Sequence, residues 1–194
     1  MDMSNWSQLR SIVFVQSQQH REHWHQVRLL YNESPDWHRS MYVKHYRSVY
    51  VNLEDMQIFI DTVSTQMVAL CTRSILENYI TVAYLKADPK GTAKAEYGGK
   101  SLIGNKEAKE CFLLLAEHLG EITAPEKAAH QAESDRTIAQ KQIEMNVPDL
   151  PEKSTVNYFA WAEAVNDPRL VIIIKRFTSW LQSTCIRHRC RPIP

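Results

Sequence analysis

Apolar and polar positions follow one another along this chain with the period of an α-helix. Large apolar side chains recur three and four residues apart in most segments, which is the spacing that places them on one face of a helix. The pattern predicts helices over about 4–31, 36–50, 53–86, 105–119, 124–145, 154–165 and 169–187. Only 5 glycines occur in 194 residues, which argues against a fold with many tight turns. The chain is therefore predicted to be all-α.

The longest predicted helix covers about 53–86, and Asn52 can cap its start. Its first half is amphipathic, whereas its second half is apolar nearly all round. The second pattern is typical of a helix that other helices surround. We therefore expect an irregular bundle of five to seven helices around this central helix. The bundle is expected to form one domain over 1–188, followed by a short basic tail over 189–194.

Three of the glycines, Gly98, Gly99 and Gly104, lie in a polar stretch between about 87 and 105. Clustered glycines between periodic segments usually mark a loop. We predict that this stretch is a mobile connection and that a helix begins at Asn105. The residues of that helix expected to face inward are Cys111, Phe112, Leu115 and Leu119.

The charge balance narrows the range of partners and compartments. Formal net charge is +1, from 23 Lys and Arg against 22 Asp and Glu. Nucleic-acid-binding domains usually carry a basic excess, so RNA is not the favoured partner. The most apolar stretch, Met67 to Leu85, contains charged residues and cannot span a bilayer without burying them. We expect a cytoplasmic protein that does not contact a membrane.

The common motifs that indicate a particular chemistry are missing from the sequence. It contains no P-loop, no dinucleotide-binding fingerprint, no nucleophile elbow and no zinc-protease helix. The spacing of a zinc site is also missing from the two groups of candidate ligands, His20, His23 and His25, and Cys185, His188 and Cys190. We therefore expect no cofactor and no metal.

Arg73 and Glu77 form the first candidate site, four residues apart in the apolar half of the predicted central helix. On an exposed face such a pair would be an ordinary solvated ion pair. Because the neighbouring residues are apolar, we predict that both side chains are largely buried and in contact. Arg73→Met should then cost several kcal/mol. The pair could be a structural ion pair. Alternatively, it could form a polar site in a cleft, in which Arg73 would bind an anion.

The second candidate is the aromatic and basic run from Trp37 to Arg47. Interleaved rings and cations could stack on bases and hold phosphates. Arg39 could stabilise the charge of a phosphodiester transition state, and His45 could move a proton. Further candidate binding residues in the run are Tyr42, Tyr46 and Arg47. The alternative is a helix that buries its tyrosines and leaves its cations in solvent.

The segment Arg73-Ser74-Ile75-Leu76-Glu77-Asn78-Tyr79-Ile80 resembles the signature helix of a group of uncharacterised bacterial all-helical proteins. That group is similar to the HEPN-like superfamily, helical bundles that are common in toxin–antitoxin and phage-defence systems. Members that cleave RNA carry an Arg-x4–6-His motif, usually late in the chain at a dimer interface. Here Arg39-x5-His45 fits that spacing but lies early. The resemblance implies an all-helical bundle in a bacterial defence setting.

These observations favour a non-catalytic helical interaction module that self-associates or binds another protein. One alternative is a metal-independent HEPN-like endoribonuclease that uses Arg39 and His45. The other is a small-molecule sensor with Arg73 and Glu77 in its binding site. Six residues along a helix turn two side chains by about 240°, so we expect Arg39 and His45 not to converge within one chain.

Overall fold

The computed structural model of the chain describes residues 3–33, 37–62, 64–176 and 179, and every regular element among them is a helix. This confirms the predicted all-α fold. The helices are α1 (Met3–Glu33), α2 (Trp37–Asp61), α3 (Thr65–Ala87), α4 (Ala93–His118), α5 (Ala124–Glu144), α6 (Tyr158–Val165) and α7 (168–176). Within the described ranges, no helix has both the length and the apolar character needed to cross a membrane.

The chain divides into two compact units. The first unit comprises Met1–Lys86 and Tyr158–Pro194, and so contains α1, α2, nearly all of α3, α6 and α7. The second unit, Ala87–Asn157, contains α4, α5 and the non-helical segment 145–157. The single domain expected over 1–188 stays a prediction, and the tail over 189–194 lies outside the described residues.

In the first unit, α1 and α2 run antiparallel and pack along their length. Two ion pairs show the direction, since Arg10 pairs with Asp61 at 3.0 Å and Arg21 pairs with Glu54 at 2.7 Å. Apolar side chains of α1, α2 and the start of α3 pack against one another on the buried side of these helices. Their buried core consists of Val13, Leu53, Met56, Ile60, Val68 and Cys71.

A second centre of packing in the first unit joins α3 to α6. The rings of Tyr84 and Trp161 stack with centroids 4.5 Å apart and planes 7° from parallel. Tyr158 meets the same indole edge-on at 6.1 Å. Ile80 and Leu85, each 1% exposed, are buried in the same half of α3. Burial of this many large side chains stabilises the short α6, whose eight residues could not form an isolated helix.

The prediction of one continuous helix over 53–86 is wrong, because the chain turns between α2 and α3. The Thr62 hydroxyl donates to the carbonyls of Ile58 and Phe59, 3.2 and 3.3 Å away. The Ser64 amide donates to the Phe59 carbonyl, and the Ser64 carbonyl accepts from the Val68 amide. These local bonds end one helix and begin the next within three residues. The hydrophobic period continues across the turn, so the turn is not visible in the spacing of the apolar residues.

Asn52 is not a cap, because α2 continues through it. Its side-chain amide donates to the Ser48 carbonyl at 2.7 Å, one turn back in the same helix. The aromatic and basic run and the segment that follows it therefore form one helix.

The second unit is built on an antiparallel pair of helices, α4 and α5. Lys127 pairs with Glu117 at 2.6 Å near the connection between them, and Lys106 pairs with Asp135 at 2.8 Å further along. A capping box at Thr123 starts α5. Gly120, with φ of +73°, ends α4 in the left-handed conformation that favours glycine. Local sequence signals thus define where α4 ends and where α5 begins.

The predicted loop over Gly98–Gly104 is helical, since α4 already begins at Ala93. The glycines of this stretch allow close packing rather than a turn. A Cβ on Gly99 would lie 2.9 Å from Pro151 Cδ and 3.3 Å from Val147 Cγ1, in the segment that follows α5. A Cβ on Gly104 would lie 3.4 Å from Ser154 Cβ. The prediction of a mobile connection over Gly98–Gly104 is therefore wrong.

The inward face predicted for this helix is also wrong. Cys111 is exposed, and Phe112, Leu115 and Leu119 are 66%, 55% and 61% exposed. The buried positions of the same helix are Ala93, Gly98, Gly99, Leu102, Leu113 and Ala116. Small residues occupy much of the packed side, so the largest apolar side chains do not mark the core here.

The two glycines provide a matched test of this packing. Gly99→Ala should lower the free energy of unfolding by about 1–3 kcal/mol, because its Cβ would overlap Pro151. Gly104→Ala should raise it by up to about 1 kcal/mol, because alanine favours a helix and the Ser154 contact is of ordinary length. Urea unfolding followed by circular dichroism measures both. Equal effects of the same sign would contradict the close approach at Gly99.

Candidate functional site

An apolar groove of about 800 Å³ lies in the first unit. Side chains from α1, α2, α3 and α7 line it. Among the described residues, its apolar and aromatic lining consists of Val27, Tyr42, Val43, Tyr46, Val49, Leu53, Ile75, Leu76, Tyr79, Val82 and Ile173, and its polar lining of Gln16, His20, His45, Thr72 and Asn78. None of these is Lys, Arg, Asp or Glu. The groove therefore suits an uncharged, largely apolar occupant.

The groove is elongated along two helices. On α2 its lining runs from Tyr42 to Leu53, and on α3 from Thr72 to Val82. At 1.5 Å per residue these stretches are about 16 and 15 Å long, or roughly three helical turns. The two walls are thus matched in length.

A polar cluster crosses the groove between α2 and α3. His45 Nδ1 lies 2.6 Å from Asn78 Oδ1. Asn78 Nδ2 donates to Ser48 Oγ at 3.1 Å and to the Ser74 carbonyl at 2.7 Å. Because both acceptors face the amide nitrogen, the amide oxygen faces His45, and Nδ1 must carry the proton that it donates. The cluster fixes both the tautomer and the orientation of the imidazole.

The imidazole of His45 is only 9% exposed. Burial lowers the pKa of His45 below its ordinary value, and the charge of Lys44 lowers it further, whereas the hydrogen bond that His45 donates to Asn78 opposes the change. The ring is therefore neutral at pH 7. A neutral imidazole in an otherwise apolar groove adds one polar position without adding charge.

Stacked rings hold one edge of the groove in place. His20 on α1 stacks on Tyr46 at 5.4 Å, and Trp24 lies parallel to both Tyr46 and Tyr50 at 6.3 Å. The Tyr50 hydroxyl donates to Glu54 at 2.6 Å, and this bond is the main reason that the pKa of Tyr50 is raised and that of Glu54 is lowered. These stacked rings join α1 to α2 and position the Tyr46 ring at the groove.

The structure separates the residues predicted in the aromatic and basic run. Tyr42, His45 and Tyr46 line the groove, whereas Arg39 and Arg47 are exposed and do not line it. All five lie on α2, which is continuous here, so the six residues from Arg39 to His45 turn the two side chains about 240° apart. Within one chain they lie on different faces, as their spacing in the sequence predicts.

Arg73 and Glu77 are in contact as predicted, with Nε and Oε1 2.7 Å apart. The predicted burial is wrong, because their side chains are 59% and 27% exposed. Of the apolar neighbours that suggested burial, Leu70 is 51% exposed, whereas Cys71 and Ile80 are buried at 6% and 1%. Apolar neighbours in the sequence therefore did not indicate burial of the pair. An exposed pair of this kind contributes about 0–1 kcal/mol, so the large cost expected for Arg73→Met does not follow. Neither residue lines the groove.

Asn78 and Ser48 are the members of the polar cluster that were not predicted from the sequence. A signal for Asn78 was present, because Cys71, Ile75 and Asn78 follow one another at the spacing of one helix face. A polar residue on the inner face of a helix requires partners. Nothing in the sequence pairs it with His45, which lies 33 residues earlier on another helix.

Within the ranges that the structure describes, no three His, Cys, Asp or Glu side chains are grouped closely enough to hold a metal ion. The candidate ligands Cys185, His188 and Cys190 lie outside those ranges. The HEPN-like resemblance around 73–80 stays a prediction. Comparisons of the chain with protein-family models, with curated proteins and with solved structures give no match.

Proposed function

We propose that this protein is a non-catalytic binding module and that its groove receives the apolar face of a helix from a partner protein. The observation that carries this proposal is the groove itself, which is apolar, three helical turns long and without a charged residue in its described lining. Recognition of an amphipathic helix in a hydrophobic groove uses such a surface.

The dimensions favour a helix over a compact ligand. Anchor side chains at positions i, i+4 and i+7 of a helix span about 10.5 Å, which fits within walls about 15 Å long. His45 and Asn78 lie within this length and offer one polar position to the occupant. The bound face of the partner is therefore expected to be apolar with one uncharged polar side chain.

The same lining argues against the two alternatives. An endoribonuclease needs cations that neutralise phosphate, and no Lys or Arg is among the described lining residues. Arg39 also lies on a different face of α2 from His45. A sensor that anchors an anion on Arg73 would bind outside the groove. The predicted defence or toxin–antitoxin setting remains a prediction from the resemblance alone.

A charge introduced into the groove should abolish partner binding. Tyr79 lines the groove and is 57% exposed, so Tyr79→Glu should leave the fold intact. Leu70→Glu is the matched control, because Leu70 is 51% exposed on the same helix but does not line the groove. We expect Tyr79→Glu to weaken binding at least about 100-fold, since it buries an unpaired carboxylate, and Leu70→Glu to leave it within about threefold.

The measurement begins with proteins that co-purify with the chain from its native host. Each identified partner is then expressed separately, and its affinity for the wild type and both variants is determined by calorimetry. Equal affinities for the two variants, or competition by a small apolar molecule with no protein partner, would contradict the proposal. RNA cleavage by the purified wild type that disappears in His45→Ala would replace it with the endoribonuclease alternative.

A further inference from the structure

Helix α7 forms part of the wall of the groove, since its Ile173 is among the lining residues. Leu170 and Ile174 of the same helix are 2% and 8% exposed, so the buried side of α7 fixes it within the first unit. The end of α7 at residue 176 lies about 4.5 Å beyond Ile173 along the helix axis. The chain that follows α7 therefore starts beside the groove.

The sequence after α7 continues the apolar spacing that includes Ile173. Phe177 and Trp180 follow Ile173 at i+4 and i+7, which is the spacing of one helix face. Both belong to the helix predicted over 169–187. Within the described part of that stretch, Ser179 is helical and exposed, and a helix turns it about 120° away from Ile173. An extension of α7 would therefore continue an apolar side onward from the groove wall.

The segment 177–186 matches the groove in polarity and in length. It contains no Lys, Arg, Asp, Glu or His, and the described lining of the groove contains no Lys, Arg, Asp or Glu. Basic residues begin again only at Arg187. Ten residues of helix are about 15 Å long, which is the length of the groove walls. The uncharged segment is thus as long as the uncharged groove.

We infer that residues 177–186 occupy the groove of their own chain as a continuation of α7, and that a partner helix binds by displacing them. The displacement rests on the proposed function, whereas the occupancy itself needs no partner. A segment joined directly to the groove wall has an effective concentration in the millimolar range. A second copy or a partner at micromolar concentration must overcome this advantage. In the free protein, residues 177–186 therefore occupy the groove first.

Thiol labelling tests the occupancy in the full chain without a partner. The background keeps only the buried Cys71, and one cysteine is introduced as Tyr79→Cys in the groove lining or as Leu70→Cys outside it. The two native side chains are similarly exposed, at 57% and 51%. We expect a maleimide to react at least about tenfold more slowly at position 79 than at position 70, because residues 177–186 cover position 79.

Two substitutions in the segment test whether it causes this protection. Trp180→Asp should remove the protection, because it would place a carboxylate in the uncharged groove. Ser179→Asp is the control and should keep it, since Ser179 is exposed. The protection should not depend on protein concentration, because segment and groove belong to one chain. Equal labelling rates at positions 79 and 70, protection that survives Trp180→Asp, or protection that rises with protein concentration would overturn the inference.

The affinity of a partner tests the displacement separately. A partner that binds the groove should bind Trp180→Asp about tenfold more tightly than the wild type, since no segment has to be displaced. Equal affinities for the two proteins would overturn the displacement. Failure of the proposed function gives a different result: position 79 is protected, which supports the occupancy, but the native host yields no protein partner.

Discussion

Replacing Trp161 with alanine should lower the free energy of unfolding by about 3–5 kcal/mol, the largest stability effect expected for a single substitution in this chain. The indole is 4% exposed and contacts the Tyr84 ring at 4.5 Å. Removing it would leave a cavity between α3 and α6, and α6 is too short to persist without this contact. Urea unfolding followed by circular dichroism at 222 nm gives the value.

Trp161→Phe is the control for this substitution. It keeps a ring against Tyr84 and should cost markedly less than alanine, at about 1–2 kcal/mol. If the two variants unfold at the same urea concentration, the stacking of these rings does not stabilise the first unit.

Replacing Asn78 with leucine should cost about 2–4 kcal/mol. The side chains are of similar size, so packing is retained, but the donor at His45 Nδ1 would be buried without its acceptor. Ser48→Ala should cost about 1 kcal/mol or less, because it removes only an acceptor from Asn78, which still donates to the Ser74 carbonyl. Equal costs for the two variants would contradict a central role for Asn78 in the cluster.

The same cluster predicts how stability depends on pH. The pKa of His45 is lowered in the folded state, so the unfolded chain takes up a proton more readily. The contribution of neutral His45 is therefore complete above pH of about 6.5, the unfolded value, and is lost as pH falls towards the lower folded value. Unfolding free energies between pH 5.5 and 7.5 should show this decline in the wild type, whereas His45→Gln should lack it.

Asn78→Asp should reverse the sign of this dependence. A carboxylate in contact with His45 would favour the charged imidazole and raise its pKa. The stabilising pair would then be present below about pH 6.5 and lost as pH rises through the raised folded value. If the unfolding free energy of Asn78→Asp depends on pH in the same way as that of the wild type, another group is responsible for the dependence.

The helical fold was predictable because its signals are local. The spacing of apolar residues and the glycine at position 120 depend only on neighbours in the sequence. The same period placed Tyr42 and Tyr46 on one helix. The groove that they line could not be predicted, because it depends on how far α3 lies from α2.

The errors have a common physical cause. Gly99 looks like a loop residue until its contact with Pro151, 52 residues later, is known. The turn after Thr62 depends on side-chain hydrogen bonds to the backbone that an uninterrupted helix would also allow. Arg73 is exposed although Cys71 and Ile80 on the same helix are buried, so the burial of its sequence neighbours does not decide its own. In each case the deciding contact, or its absence, is not encoded in the local period.

The turn between α2 and α3 has a mechanical consequence for the groove. It joins the two walls at one end, whereas the bond between His45 and Asn78 joins them about 20–24 Å along the helices. At that distance a rotation of about 3° at the turn moves the bonded atoms by about 1 Å, enough to take a 2.6 Å hydrogen bond out of its normal range. The hydrogen bond between one imidazole and one amide therefore limits changes in the angle between α2 and α3, and with it changes in the width of the groove.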